Sequence, residues 1–456
     1  MKILKNITVF TMVMLLSVST VLEAREKNIS NFSSSASNLV DSTGTFDGNK
    51  IYADVANNGL FLDYHVSGDS ALEWPKGTGV HSIFQSALWM GATVNGSIRT
   101  IVGDYTQDMG PGPWGGDPLA AVHRIYKVEK SMLASPLDFA DFQEWPVEFG
   151  APWVDVDGDG VYTPLPGGTD HPEFLGDQVL WFVSNDGDPA YKLNFGTSPM
   201  NVEIQTTMFG FDRPDVFGDM VFLKQLVINK GSDDLVDTYM GLWSDPDLGY
   251  AGDDFVGCDV ALGMGYVWND GDDSQYSTLD IGTPAAGYDF FQGPMVPCED
   301  GDSEEVCPTE GAKMFGTRHP GMKNLKMSSF AFYINGDATY TDPSDETEGY
   351  FYLQGLRKDG SAYPAEIAGD LYDQRFCFYG DPNDSAGHST ANPVDGNYAA
   401  SADRRFLMSV GPFTMAAGDS QEVVFGIFHA AGGDALSSVA YLKEVDALAQ
   451  TAYDID

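Results

Sequence analysis

Residues 221–229 read V-F-L-K-Q-L-V-I-N and run into K-G-S-D-D at 230–234. Apolar side chains dominate, polar Lys224 and Gln225 interrupt them, and the run stops at a cluster of turn formers. That pattern predicts a half-buried strand ending in a turn. In the run V-E-I-Q-T-T-M-F at 202–209 apolar and polar side chains alternate. Working outward, V-L-W-F-V (179–183), T-Y-M-G-L-W (238–243), S-F-A-F-Y-I (329–334), G-Y-F-Y-L-Q-G-L (349–356) and E-V-V-F-G-I-F-H (422–429) also read as strands. Each is bounded by Gly, Pro, Asn or Asp, which punctuate local structure. The 51 glycines and 24 prolines suit such a turn-rich chain. The expected fold class is therefore mainly β: a large β-sandwich-like body with many loops and a C-terminal α-helix.

The helix is expected over 434–453, D-A-L-S-S-V-A-Y-L-K-E-V-D-A-L-A-Q-T-A-Y. Leu436, Val439, Leu442, Val445 and Leu448 would share one face, and Asp434 is the expected N-cap. A shorter helix is expected near 120–130. Residues 1–24 read as a signal peptide: Lys2 and Lys5 precede an apolar stretch, and V-L-E-A offers a cleavage point after Ala24. Residues 25–45 are serine-rich and read as a flexible leader. The β-rich body would then span 46–430, with room for two sub-lobes, and the helix 431–456 would pack on it.

The chain has 456 residues and a formal net charge of -43. Nucleic-acid binding needs clustered Lys and Arg, so this composition argues against it. No segment after the signal is long and apolar enough to span a membrane. Aromatic residues make up 12% of the chain, enough for a packed core, so the acidity does not imply disorder. Divalent cations are the natural complement of such a charge, and glycans or surface proteins are the other candidate partners. An exported acidic protein is also simply soluble. In an oxidising compartment, Cys298 and Cys307 would bridge the short loop C-E-D-G-D-S-E-E-V-C. The pairing of Cys258 and Cys377 stays open.

The sharpest chemical signal is D-V-D-G-D-G at 155–160. Asp155, Asp157 and Asp159 alternate, so a tight turn can aim all three carboxylates inward. Gly158 and Gly160 let the backbone wrap, and Val161 could offer its carbonyl. Hard oxygen ligands at this spacing suit Ca²⁺. A helix–loop–helix calcium loop needs Glu at its twelfth position, where this chain has Pro166. A further carboxylate must come from Asp170, Glu173 or Asp177. The simpler alternative is a surface turn, since Asp and Gly are common turn formers. A second candidate cluster is Asp245, Asp247, Asp253 and Asp254. N-D-G-D-P (185–189) and N-D-G-D-D (269–273) are weaker ones.

Enzyme motifs are mostly missing: the sequence holds no G-x-S-x-G, H-E-x-x-H, C-x-x-C or phosphate-binding Gly-rich loop. A glycosidase needs only two facing carboxylates, so a secreted carbohydrate-active enzyme remains the alternative class. Trp74, Trp89, Trp114, Trp145, Trp153, Trp181, Trp243 and Trp268 could line a sugar site, although tryptophan more often packs in a core.

Several long stretches carry a resemblance. They are L-E-W-P-K-G-T-G-V-H-S-I-F-Q-S-A-L-W-M-G-A (72–92), W-P-V-E-F-G-A-P-W-V-D-V-D-G-D-G-V-Y-T-P (145–164), G-D-Q-V-L-W-F-V-S-N-D (176–186) and D-R-R-F-L-M-S-V-G-P-F-T-M-A-A-G-D (403–419). Together they resemble an N-terminal module of large secreted or cell-surface proteins of Bacteroidetes-type bacteria, often cargo of type IX secretion. The resemblance implies export and a surface or matrix role with no defined activity. In those proteins the acidic loop commonly reads D-x-N-G-D-G-x-Y-x-P-x-D-G-D-x-P. Here Asp157 replaces the Asn and Pro166 the twelfth-position Asp, which points to Asp170 as the replacement ligand.

Overall fold

The computed structural model describes residues 43–164, 170–384 and 400–455. The signal peptide, most of the leader and Pro166 lie outside the described residues. The strand Thr43–Phe46, which takes in the end of the expected leader, pairs antiparallel with Tyr52–Ala56. Residues 42–456 form one compact unit.

Two large antiparallel sheets dominate. The first has nine strands. Its order is Asp254–Asp259, Met264–Asn269, Ala285–Gln292, Ser420–Ala430, Met220–Asn229, Val202–Gly210 and Gln178–Asn185. Two short pieces, Gly110–Pro111 and Tyr126–Glu129, share the outer edge of Gln178–Asn185. The second sheet has six strands: Ser329–Ile334, Arg404–Met415, Leu235–Asp245 and Gln85–Val94, then Leu60–Leu62 and Ser97–Ile101. The chain's last two strands are inserted centrally, one in each sheet. Neither sheet is complete until the C-terminal region has folded.

Strand period two sets the layers. In Met220–Asn229, Val221, Leu223 and Val227 face the core shared by both sheets, while Met220 and Phe222 face a second cluster on the other side. Gln225 breaks the apolar pattern on the inner face, and its Nε2 donates to Thr206 Oγ1 at 3.1 Å. Across the core, Tyr288 of the first sheet meets Ser86 and Ser244 of the second at 2.6 and 3.0 Å.

The C-terminal helix, Ala435–Ile455, covers one end of the first sheet's outer face through Val439, Leu442 and Val445. Each such buried aliphatic side chain contributes about 1.5–3 kcal/mol. Asp434 caps it, accepting from the Ser437 amide at 2.9 Å. The buried stripe differs from the expected one at its ends. Leu436 and Leu448 are 37% and 50% exposed, and Ala435, Ser438, Asp446 and Ala449 are buried instead. A series of strict three-residue steps falls behind the 3.6-residue turn by about 60° each time, so its ends rotate off the face.

Two further expectations are corrected. Residues 120–130 form a short 3-10 turn at Ala121–His123 and then the strand Tyr126–Glu129. Tyr126 and Val128, two residues apart, enter one apolar cluster, and that spacing is a strand's. The run 349–356, read as a strand, belongs mostly to the helix Glu346–Leu353. Asp345 caps it by accepting from the Thr347 and Glu348 amides. The sheet makes room with two glycines: a Cβ at Gly91 would stand 2.5 Å from Tyr350, and one at Gly241 2.7 Å from Leu353. Cys298 and Cys307 are disulfide-bonded, with Cα atoms 5.8 Å apart, whereas Cys258 and Cys377 are buried free thiols.

Candidate metal centre

The acidic run sits in a β-hairpin. Trp153–Val154 pairs antiparallel with His171–Pro172, Val154 opposite His171. Asp155 leaves the first strand as Asp170 enters the second, so the pairing places the two side by side. The hairpin lies over the cluster of Phe142, Trp145 and Trp181. Tyr162 fastens it there by donating to Phe142 O at 2.6 Å, and its ring meets Trp153 edge-on at 5.6 Å. Gly158 and Gly160 have φ of 77° and 76°, the left-handed region that glycine enters without strain.

The loop's own amides organise its carboxylates. Asp155 accepts from Gly158 and Gly160 at 2.6 and 2.9 Å. Asp157 accepts from the Asp159 amide at 3.2 Å, and Asp159 from the Val161 amide at 2.7 Å. Asp170 is the buried member, 1% exposed. It accepts from the Val156 amide at 2.9 Å and from the Thr163 amide and hydroxyl at 2.7 and 3.2 Å. Burial acts to raise its pKa, but these hydrogen bonds to the charged form outweigh it and hold the carboxyl below its ordinary value.

Oxygens of Asp155, Asp157, Asp159 and Asp170 all lie within 4.8 Å of one another. Ca²⁺ binds oxygen at about 2.3–2.6 Å, so ligands on opposite sides of one ion stand about 5 Å apart. The spread therefore matches a single ion of that size. Among the described residues, no Lys, Arg or His forms an ion pair with any of the four. Four like charges are thus gathered without an internal cation.

Two expected ligands stand elsewhere. Asp177 is outside the group because its carboxylate accepts from the Asp212 amide at 2.9 Å, where its chain joins the large sheet. Glu173 is outside it too; its amide donates to Pro152 O at 3.0 Å. Val161 keeps its loop position, with its side chain 58% exposed.

The second candidate cluster divides. Asp245 and Asp247 meet Asp403, with oxygens again within 4.8 Å. Here the protein supplies its own cation. Arg405 Nε lies 3.0 Å from Asp245 Oδ1, Nη2 donates to Oδ2 at 3.2 Å, and Nη1 lies 3.0 Å from Asp403. The Tyr105 hydroxyl donates to Asp245 at 2.8 Å. Burial, then the crowding of Asp403 and Asp247, pushes Asp245 up against the pull of Arg405. Arg405 is held above its ordinary value by Asp245 although burial opposes it. These two shifts favour opposite forms of the pair; the two-point contact decides for the ionic one. Asp253 and Asp254 point away, to Asn269 Nδ2 at 2.7 and 3.1 Å. Sequence reasoning missed Asp403 because only the antiparallel pairing of Leu235–Asp245 with Arg404–Met415 brings it in.

The weaker acidic runs are structural. Asp186 accepts from the Met200 and Val202 amides, and Asp273 from those of Tyr250, Gln275 and Tyr276. Of the tryptophans, Trp74, Trp89, Trp145, Trp181, Trp243 and Trp268 are buried; only Trp114 is well exposed, at 45%. A cavity of about 710 Å³ beside the disulfide is lined by Met295, Met314, Phe315, Met322 and Phe413, with no tryptophan. No described helix is long and apolar enough to cross a membrane. No protein-family model matches the chain, and no curated protein matches it either.

Proposed function

We propose that this is an exported, acidic β protein, stabilised by calcium in the 155–170 hairpin, acting as a non-catalytic binding or structural component at the cell surface. The observation that carries the reading is the four-carboxylate group with no cationic side chain among its partners. Asp155, Asp157, Asp159 and Asp170 would hold the ion, with the Val161 carbonyl as a further oxygen donor. The ion would offset the repulsion of these charges and tie both ends of the hairpin together. The net charge of -43 draws divalent cations to the surface, and the resemblance to secreted surface modules supports the location. Six of the eight tryptophans are buried, which weighs against a tryptophan-lined sugar platform.

Calorimetric titration of the chelator-treated protein with Ca²⁺ tests the site. One ion per chain is expected, and its loss in Asp157→Asn. No heat at millimolar calcium would end the calcium reading. A glycosidase screen tests the other half, and turnover of any glycan would overturn the non-catalytic assignment.

A further inference from the structure

The C-terminal helix carries a charge where its apolar stripe should be unbroken. Asp446 lies between Leu442 and Ala449 on the buried face and is 1% exposed. Opposite it stands Asp289, fully buried, on the strand Ala285–Gln292. Asp289 shares the outer face with Ala285 and Gly287, and Leu442 lies against Gly287. The two carboxyl groups are close enough for each to act on the other's ionisation. Among the described residues, none of their four oxygens has an N–H or O–H hydrogen-bond donor.

Two carboxylates can bond each other only if one keeps a proton. Among the described residues, no Lys, Arg or His pairs with either carboxyl. Lys443, on the same helix, is spent on Asp259 and Asp381 at 3.0 and 3.2 Å. Glu422, on the neighbouring strand, faces Lys224 and Gln292. His429 on that strand bonds Ser82 on the other side of the sheet. Tyr266 donates to Gly380 O, and Lys313 reaches Tyr453 O. The remaining charges near the pair, Asp259 and Asp454, are negative as well.

We propose that Asp289 and Asp446 form a proton-sharing latch, which holds the C-terminal helix on the sheet at mildly acidic pH and loosens it as the pH rises. Burial first, and then neighbouring negative charge, pushes both carboxyls up, Asp446 to about 7. The docked pair keeps a proton that the undocked helix releases above the ordinary aspartate value of 3.8. Its contribution is therefore full below that value and lost as the pH rises through about 7. Calcium binding at the 155–170 hairpin does not enter the argument.

Hydrogen exchange of the helix amides in the full chain, at fixed calcium, tests the latch. Protection over Ala435–Ile455, corrected for intrinsic exchange, should fall about tenfold or more between pH 5.5 and 8.5. The double variant Asp289→Asn/Asp446→Asn should stay within about threefold, because two amides bond each other without a proton to lose. Should that variant not fold, Asp446→Asn alone must show a shallower fall than the natural chain. A pH-independent helix in the natural chain, or variants that fall as steeply as it does, would overturn the proposal.

Discussion

The two aspartate groups in this molecule, one of four carboxylates and one of three, are alike in spacing and opposite in how their charge is handled. Around Asp245, Asp247 and Asp403 the chain inserts a guanidinium, Arg405, with contacts of 3.0–3.2 Å. Around Asp155, Asp157, Asp159 and Asp170 it supplies backbone N–H groups and no cationic side chain. The first group is closed by its own sequence. The second has oriented carboxylates and, among the described residues, no cationic side chain at its centre. Acid density alone does not make a metal site; what fills the centre decides.

This contrast can be broken most severely at Arg405. Arg405→Met leaves Asp245 buried without its partner and should cost about 3–5 kcal/mol, read from urea unfolding. A neutral result would mean that Asp245 is already protonated and that the first group is not ionic. Calcium should act on the second group alone. At a hundred times its dissociation constant it should stabilise the protein by about 2.7 kcal/mol, seen as a rise in melting temperature that chelator reverses. Arg405→Met, if folded, should keep that rise.

Asp170→Asn sharpens the comparison further. It should abolish most of the calcium response while the hairpin still folds, since the amide oxygen can accept from one of the same N–H groups. The smallest effect is at acid pH without calcium. The Asp170 pKa is lowered, so its contribution is present above the ordinary value of 3.8 and lost as the pH falls through its lower folded value. The natural chain should lose more stability than Asp170→Asn between pH 4 and 2.

Much of this was legible in the sequence, for local reasons. Strands such as Val202–Gly210 announce themselves by period two, and Ser329–Ile334 by an apolar run flanked by turn residues. The 155–160 run announces three ligands because alternate residues in a tight turn converge. The helix at Glu346–Leu353 was hidden: aromatic residues favour strands on average, and only the grooves at Gly91 and Gly241, far off in sequence, make room for it. Asp403 and Arg405 were hidden for the same reason, since strand pairing across some 160 residues carries them to Asp245. Asp170 falls between: the hairpin closing 155–170 is short enough that its placement beside Asp155 could be anticipated.

The central claim is that the hairpin group, and not the Arg405 group, takes an outside cation. Thermal melting of the natural chain and of Asp155→Asn, each with millimolar calcium and with chelator, tests it most directly. A calcium-dependent rise is expected in the natural chain and little or none in Asp155→Asn. An equal rise in both, or none in either, would contradict it.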